Sequence, residues 1–357
     1  MSATLNGFAI DDLDLALTHS GSALDGLLGA TLLLTGGTGF IGQWILATLL
    51  HGNRTRQLGL TIILPTRNAE AFRARSPELA SDDAVRLIES DIRTLDLQGL
   101  RPTHIIHAAT DTSVEADANP LLLMDTIVNG TRRVLDIAVE TGARDVLYVS
   151  SGAVYGAQGE IEHVAETERI ACDPLDRRSV YGESKRLAEM LCAVYGNQHG
   201  LRPRIARCFA FVGPGMPLDA HFAIGNFIAD AVAGRPVTIS GDGTPIRSYL
   251  YAGDLVAWLL RMLANGRPGV AYNVGSGEAF SLKEIAEIVA AAVPTATGVD
   301  VRGTPQPGAF RSRYAPSVER AQTELGVEVW TSLPDAVRAT AAWAAQAPCR
   351  QPGERVR

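Results

Sequence analysis

The sequence predicts an α/β fold: a doubly wound parallel sheet followed by a smaller α/β lobe. Three observations carry this. From Ala30 to about Arg204, short apolar, β-favouring runs alternate with helical patterns, which argues for a parallel sheet covered on both faces. The first run ends in a glycine turn that leads straight into a helix. After Arg204 the elements shorten and are punctuated by Pro- and Gly-rich turns at 212–217, 241–245 and 303–308. With 357 residues and 46% hydrophobic side chains, the chain can bury a sizeable core in one large or two modest domains.

Residues 1–28 read as an extension with one or two short helices near 13–17 and 23–28, whose role the residues do not disclose. The first strand, Ala30-Thr31-Leu32-Leu33-Leu34-Thr35, stops at Gly36-Gly37-Thr38-Gly39-Phe40-Ile41-Gly42. An apolar helical pattern follows through Trp44, Ile45, Leu46, Leu49 and Leu50. Strand, glycine turn and helix form the context in which such a pattern becomes a dinucleotide site. Gly36 allows the tight turn, Gly39 the approach of a pyrophosphate, and Gly42 close packing of helix on strand. The helix N-terminus then presents free N–H groups and positive dipole to the phosphates. The competing reading is a glycine-rich turn with a packing role only. Segments 60–64, 85–88, 104–108 and 145–150 read as further strands, and 121–141 and 181–199 as long helices flanking the last of them. The expected divisions are the extension 1–28, the dinucleotide-binding part 29–204, the second lobe 205–345 and a polar tail 346–357, expected to be mobile.

Tyr181-Gly182-Glu183-Ser184-Lys185 holds the chemistry. A tyrosine and a lysine four residues apart share one face of a helix. A free phenol titrates near ~10 and is no base at neutral pH. An ammonium beside it favours the phenolate, lowers that pKa and makes the phenol a usable proton acceptor and donor. The pair also arises by chance on solvated helix faces, so its context decides.

Four signals supply that context in order: Ser90-Asp91-Ile92 after a strand, Ile105-Ile106-His107-Ala108-Ala109 ending another, Val128-Asn129-Gly130-Thr131 in a helix, and Ser150-Ser151-Gly152-Ala153-Val154-Tyr155-Gly156 ahead of Tyr181. From about residue 29 to 340 the chain resembles the extended short-chain dehydrogenase/reductase superfamily, in its nucleotide-sugar epimerase/dehydratase branch. The resemblance implies a Rossmann-type sheet with a smaller substrate-binding lobe interleaved with it. It places Ser151, with Ser150 as structural competitor, as the hydroxyl that bonds the substrate oxygen while Tyr181, supported by Lys185, exchanges the proton. For the cofactor it implies Gly36, Thr38, Gly39, Phe40, Ile41, Gly42, Ala108 and Ala109, with Asp91 and Ile92 at the adenine and Asn129 supporting the active-site backbone. His107 reads as a buried backbone contact.

The second strand lacks the terminal carboxylate that usually takes the ribose hydroxyls of NAD. Arg67 lies where a 2′-phosphate could be paired, which leans the expectation from NAD to NADP, against the plainer reading of an exposed loop arginine. For the substrate, a nucleoside-diphosphate sugar, the resemblance implies Thr112, Ser151, Asn226 of an N-F-I segment, and Arg247 after Gly241-Asp242-Gly243-Thr244, clamping the diphosphate. Arg311 or Arg313 would add a second phosphate contact. A structural ion pair of Arg247 with Asp242 or Asp254 is the alternative. The chain departs from relatives at Ser248 and at Ala210-Phe211, which puts the sugar in doubt. Family dehydratases carry Asp-Glu after the catalytic hydroxyl, and decarboxylating relatives usually keep a Glu. Here Gly152-Ala153 can transfer no proton. Hydride transfer at sugar C4, as a 4-epimerase or a 4-keto-6-deoxysugar reductase, is therefore expected over a 4,6-dehydratase or an NADPH-dependent reductase of a small carbonyl compound.

Net charge of −7 indicates no basic face for nucleic acid. The four cysteines are scattered without metal-ligand spacing and read as reduced thiols of a cytoplasmic protein. No apolar run approaches the ~20 residues of a membrane span, and the N-terminus lacks the pattern of a secretory signal. The long helix pair implies a homodimer, by the same resemblance.

Overall fold

The structure, a computed structural model, describes residues 3–110, 118–220, 222–306, 308 and 311–346. Thr112, Cys349 and the tail from 347 lie outside the described residues. The chain opens with a short hairpin, β1 (Thr4–Leu5) and β2 (Phe8–Ala9). There follow β3 (Thr31–Thr35), β4 (Thr61–Thr66), β5 (Val85–Glu89), β6 (His104–His107), β7 (Asp145–Ser151) and β8 (Arg202–Cys208). Later come β9 (Phe211–Val212), β10 (Val237–Ile239), β11 (Ile246–Arg247), β12 (Leu250–Tyr251), β13 (Ala271–Val274), β14 (Phe280–Ser281), β15 (Val299–Val301) and β16 (Arg313–Tyr314).

Seven of these form one parallel sheet in the order β13-β8-β7-β6-β3-β4-β5. The central strands read as unbroken apolar runs because helices cover both faces, and Leu32, Leu33, Leu34, Ile62, Ile63, Ile105 and Ile106 have no exposed surface. The chain runs outward from β3 to β5 and then returns to β6 on the other side. The crevice beyond the C-terminal ends of β3 and β6 is thus the switch point where such sheets bind ligands. β4 continues past Pro65, where the sequence pattern had ended it at 64. β3 pairs only as far as Ile63, so the missing N–H of Pro65 interrupts no bond to that neighbour.

The expected boundary at 204 falls inside β8, and β13 returns to the sheet edge, so the second lobe is interleaved with the first. The helix Ala252–Asn265 is buried almost throughout. One side of it is covered by the N-terminal extension, which folds as a helix, Ile10–Ser20, and a 3-10 turn, Gly21–Leu27. Asp12 accepts from the Tyr251 hydroxyl at 2.8 Å, His51 meets Asp14 at 2.8 Å, and Arg261 donates to the His19 carbonyl at 2.6 Å. Phe8 packs edge-on against Trp44, ring centroids 4.9 Å apart, behind the glycine turn. The extension is therefore part of the core.

Candidate active site

The glycine turn sits at the switch point. Gly36 has φ of +71°, and a Cβ there would lie 2.5 Å from the Ala108 carbonyl oxygen. A Cβ on Gly42 would lie 2.1 Å from the Gly36 oxygen, so strand and helix touch through hydrogen. Gly39 is exposed, and a Cβ there would meet only the Gly36 oxygen, at 3.4 Å. It caps the helix Phe40–Arg56 without a side-chain bond, leaving the first N–H groups open to an anion. The Thr38 carbonyl is held by Gln43 at 3.0 Å and Arg75 at 2.7 Å. Phe40 and Ile41 are half-buried at the turn, and Ala108 and Ala109 are tied to Thr35. These features fit a dinucleotide.

At the crevice's outer end Asp91 caps the turn Ile92–Thr94. Bonds from the Arg93 side chain, 2.6 and 2.9 Å, hold the Asp91 carboxyl down at about 2, with Arg67 adding its charge. Ile92 packs against the helix Pro120–Thr141, where a Cβ on Gly130 would lie 2.8 Å from its methyl group. Asn129 departs from expectation. It is exposed and donates to Asp125 one turn back, at 2.5 Å, with no bond to the active-site backbone among the described residues. His107 is buried as expected, but its partners are side chains: Thr35 Oγ1 at 2.7 Å and Thr131 Oγ1 at 3.0 Å. Burial pushes its imidazole down to about 3, so it is neutral.

Ser151 ends β7, and Tyr181 and Lys185 lie on the helix Val180–His199 beside it. The Ser151 hydroxyl accepts from Ala153 N–H at 3.1 Å and lies near enough to Tyr181 to favour its phenolate. Ser150 points away and donates to Glu189 at 2.6 Å. Lys185 is 1% exposed and donates to the Val149 carbonyl at 2.9 Å. Its ammonium lies 5.9 Å from the Tyr181 ring centroid and 5.1 Å from that of Tyr148. The expected lowering of the phenol by this ammonium is not seen in the chain by itself: burial raises Tyr181 to about 12, opposed by the Ser151 hydroxyl. Burial likewise lowers Lys185 to about 8.

The residue that sequence reasoning underweighted is Tyr314. Its hydroxyl lies 3.5 Å from Ser151 Oγ and 3.5 Å from the Cys208 carbonyl. β11 and β16 are paired with Arg247 opposite Tyr314, so both side chains share one face. Arg247 is half-buried and donates to the carbonyls of Ile246 and Ser312, at 2.7 and 3.1 Å, and to Ser312 Oγ at 3.3 Å. Among the described residues no carboxylate is paired with it. Asp242 is engaged by Thr244, and Asp254 by Trp330 and Thr331. Arg313 pairs with Ile246 on the other face, Arg311 is exposed, and Asn226 is exposed on the helix Ala223–Val232. The described cysteines are free, and no metal-binding cluster occurs among the described residues. No helix among them is long and apolar enough to cross a membrane.

A glycine turn at the switch point of a parallel sheet, with Ser151, Lys185 and the partly buried Tyr181 beside it, defines a dinucleotide-dependent enzyme of the short-chain dehydrogenase/reductase type. The chain belongs to the NAD dependent epimerase/dehydratase family, whose model matches residues 32–275. It is 31% identical over 304 residues to UDP-glucuronic acid decarboxylase 1 of Arabidopsis thaliana, covering 85% of this chain and 67% of that one. It is 30% identical over 320 residues to dTDP-glucose 4,6-dehydratase of Streptomyces griseus, covering 87% and 93%. Among solved structures, DesIV, a dTDP-glucose 4,6-dehydratase from Streptomyces venezuelae with NAD and TYD bound, superimposes with a TM-score of 0.75 at 26% identity, covering 89% and 97%. UDP-glucose 4-epimerase from Thermotoga maritima shares the fold, with a TM-score of 0.74 at 21% identity, covering 88% and 98%. The family is NAD-dependent, and the lean to NADP drawn from Arg67 is not supported. The charge of Arg67 already acts on the Asp91 carboxylate.

Proposed function

We propose that the protein acts on a nucleoside-diphosphate sugar by hydride transfer at C4, without elimination, as a 4-epimerase or a 4-keto-6-deoxysugar reductase. The observation that carries this is the lack of room behind Ser151. A Cβ on Gly152 would lie 2.8 Å from both the Phe209 ring and the Tyr314 hydroxyl. A carboxylate at the position from which dehydratases are expected to eliminate water would have to displace Phe209 and Tyr314, and Ala153 beside it carries no proton. Bound NAD would supply the hydride acceptor. The chain's part is to hold and move the proton: Ser151 bonds the C4 oxygen, Tyr181 exchanges its proton, and Lys185 keeps positive charge beneath them. Arg247, a half-buried cation without a carboxylate partner among the described residues, grips the diphosphate, which an apolar carbonyl substrate would lack. NAD favours the epimerase, since a hydride taken and returned consumes no reductant.

The test is to incubate the purified protein with NAD and UDP-glucose, dTDP-glucose or UDP-glucuronic acid, and to follow the products by mass spectrometry and NMR. An isomer of unchanged mass supports epimerisation, and NADPH-dependent reduction of a 4-keto-6-deoxy sugar supports the reductase. Loss of water or of carbon dioxide refutes the reading.

A homodimer through the helices Pro120–Thr141 and Val180–His199 belongs to the same proposal. Leu121 and Met124 on the first, and Leu187, Met190 and Val194 on the second, are exposed apolar side chains, the last three at one-face spacing. A monomeric mass by light scattering would refute it.

A further inference from the structure

A buried polar chain starts one residue before Ser151 and has no part in the chemistry above. Ser150 donates to Glu189 at 2.6 Å. Arg207 grips the same carboxylate with Nη2 at 2.7 Å and Nε at 3.0 Å, and donates Nη1 to the Tyr155 hydroxyl at 2.9 Å. That hydroxyl donates to Asn273 at 2.8 Å, and Asn273 donates to the carbonyls of Val164 and Ser317, at 2.8 and 3.0 Å. Glu189 stands one turn beyond Lys185 on the same helix. Arg207 is opposite Ser150 in the β7–β8 register, so their side chains share a face. The far end, at Ser317, holds the segment that carries Tyr314.

The Arg207 and Glu189 side chains are 18% and 11% exposed. A buried ion pair is a poor source of stability, because desolvating both charges offsets their attraction. It does impose registry on the elements it joins. We propose that Glu189, clamped by Arg207, is the positioning residue of this centre: it locks the helix that carries Tyr181 and Lys185 to the strand end that carries Ser151. The inference rests on the assignment of those three residues to the chemistry. A consequence concerns Lys185, buried where its ammonium is disfavoured. The groups facing it are Tyr181, Glu189 and Cys192 from its own helix, Tyr148 from β7, Cys208 from β8 and His107 from β6. Burial pushes both thiols up to about 12 and His107 down to about 3, so these are neutral near pH 7. Glu189 is the carboxylate among them that sustains the ammonium.

The chain contains two lysines, Lys185 and Lys283, and Lys283 is exposed. Lysine labelled with carbon-13 therefore gives two side-chain resonances, of which the one with the depressed titration is Lys185. Ser150→Ala cuts a single bond and leaves the ion pair. It should lower kcat about tenfold with KM changed less than about twofold, and leave the Lys185 titration in place. Glu189→Gln keeps an acceptor for Ser150 but loses the charge. It should move the Lys185 titration down by about half a pH unit or more, and the alkaline limb of the pH–rate profile with it. If that variant does not fold, Glu189→Gln/Arg207→Gln leaves no unpaired charge and should show a smaller movement in the same direction. Wild-type kcat in Ser150→Ala, together with an unmoved Lys185 titration in the Glu189 variants, overturns the proposal. A moved titration with an unmoved pH–rate profile instead overturns the catalytic assignment of Lys185.

Discussion

Replacing Arg247 with alanine should cost the enzyme its hold on a diphosphate and little else. A guanidinium has five N–H donors. Three bonds occupy Nη1 and Nη2, at 2.7, 3.1 and 3.3 Å, which leaves about two donors for an anion. Burial disfavours the charge and lowers its pKa, and among the described residues no carboxylate compensates. A hydrogen bond to a charged group contributes about 1.5–3 kcal/mol. Two such bonds, less the cost of desolvating the phosphate, make the expected loss about 2–4 kcal/mol, or roughly thirty- to several-hundred-fold in affinity. If the grip is equal in ground and transition states, the loss appears in KM and not in kcat. The three acceptors left behind lie at a half-exposed site, so the melting temperature of the free protein should fall only slightly. The assay is a thermal melt with UDP or dTDP at millimolar concentration. Both should stabilise the wild type, and the variant should lose that stabilisation. A variant that keeps the full nucleotide-dependent shift refutes the role of Arg247. A wild type indifferent to both nucleotides refutes the sugar-nucleotide reading.

Tyr181→Phe should retain the fold and NAD binding but lose most turnover, because the ring without its hydroxyl exchanges no proton; near-normal kcat would remove Tyr181 from the mechanism. Gly36→Ala places a methyl group 2.5 Å from a carbonyl oxygen at a φ of +71°. It should abolish NAD binding and destabilise the fold by about 1–3 kcal/mol or more, measured by NAD titration and thermal melt. Asp254 is raised by burial from 3.8 to about 6, against three hydrogen bonds that lower it. A raised carboxyl contributes stability that is complete below 3.8 and lost as pH rises through about 6. Asp254→Asn should flatten the melting temperature across that window; an unchanged slope would assign the loss to other groups.

The glycine turn, the strands β3 to β7 and the Tyr181–Lys185 spacing were legible because each follows from rules that act over a few residues. A left-handed turn demands Gly36, a covered parallel strand demands an apolar run, and a four-residue step aligns two side chains on a helix. The failures share a cause as well. Asn129 occupies a motif position, yet the rotation of its helix turns it outward to Asp125. His107 reads as a backbone contact because its partners, Thr35 and Thr131, are 72 and 24 residues away. Arg67 suggested NADP because the second strand ends without a carboxylate, while the fold brings the charge of Arg67 to bear on Asp91.

By itself the sequence determined the fold class and the family, and it brought forward the glycine turn and the Ser151, Tyr181 and Lys185 candidates, since local geometry and hydrophobic periodicity are written residue by residue. The tertiary structure decided what surrounds those residues. Tyr314 reaches Ser151 across 163 residues and, with Phe209, fills the space where an acid would have to stand. Burial outweighs the Ser151 hydroxyl in setting the Tyr181 phenol. Both outcomes depend on which distant surfaces meet and how completely they exclude water, and no local pattern encodes that.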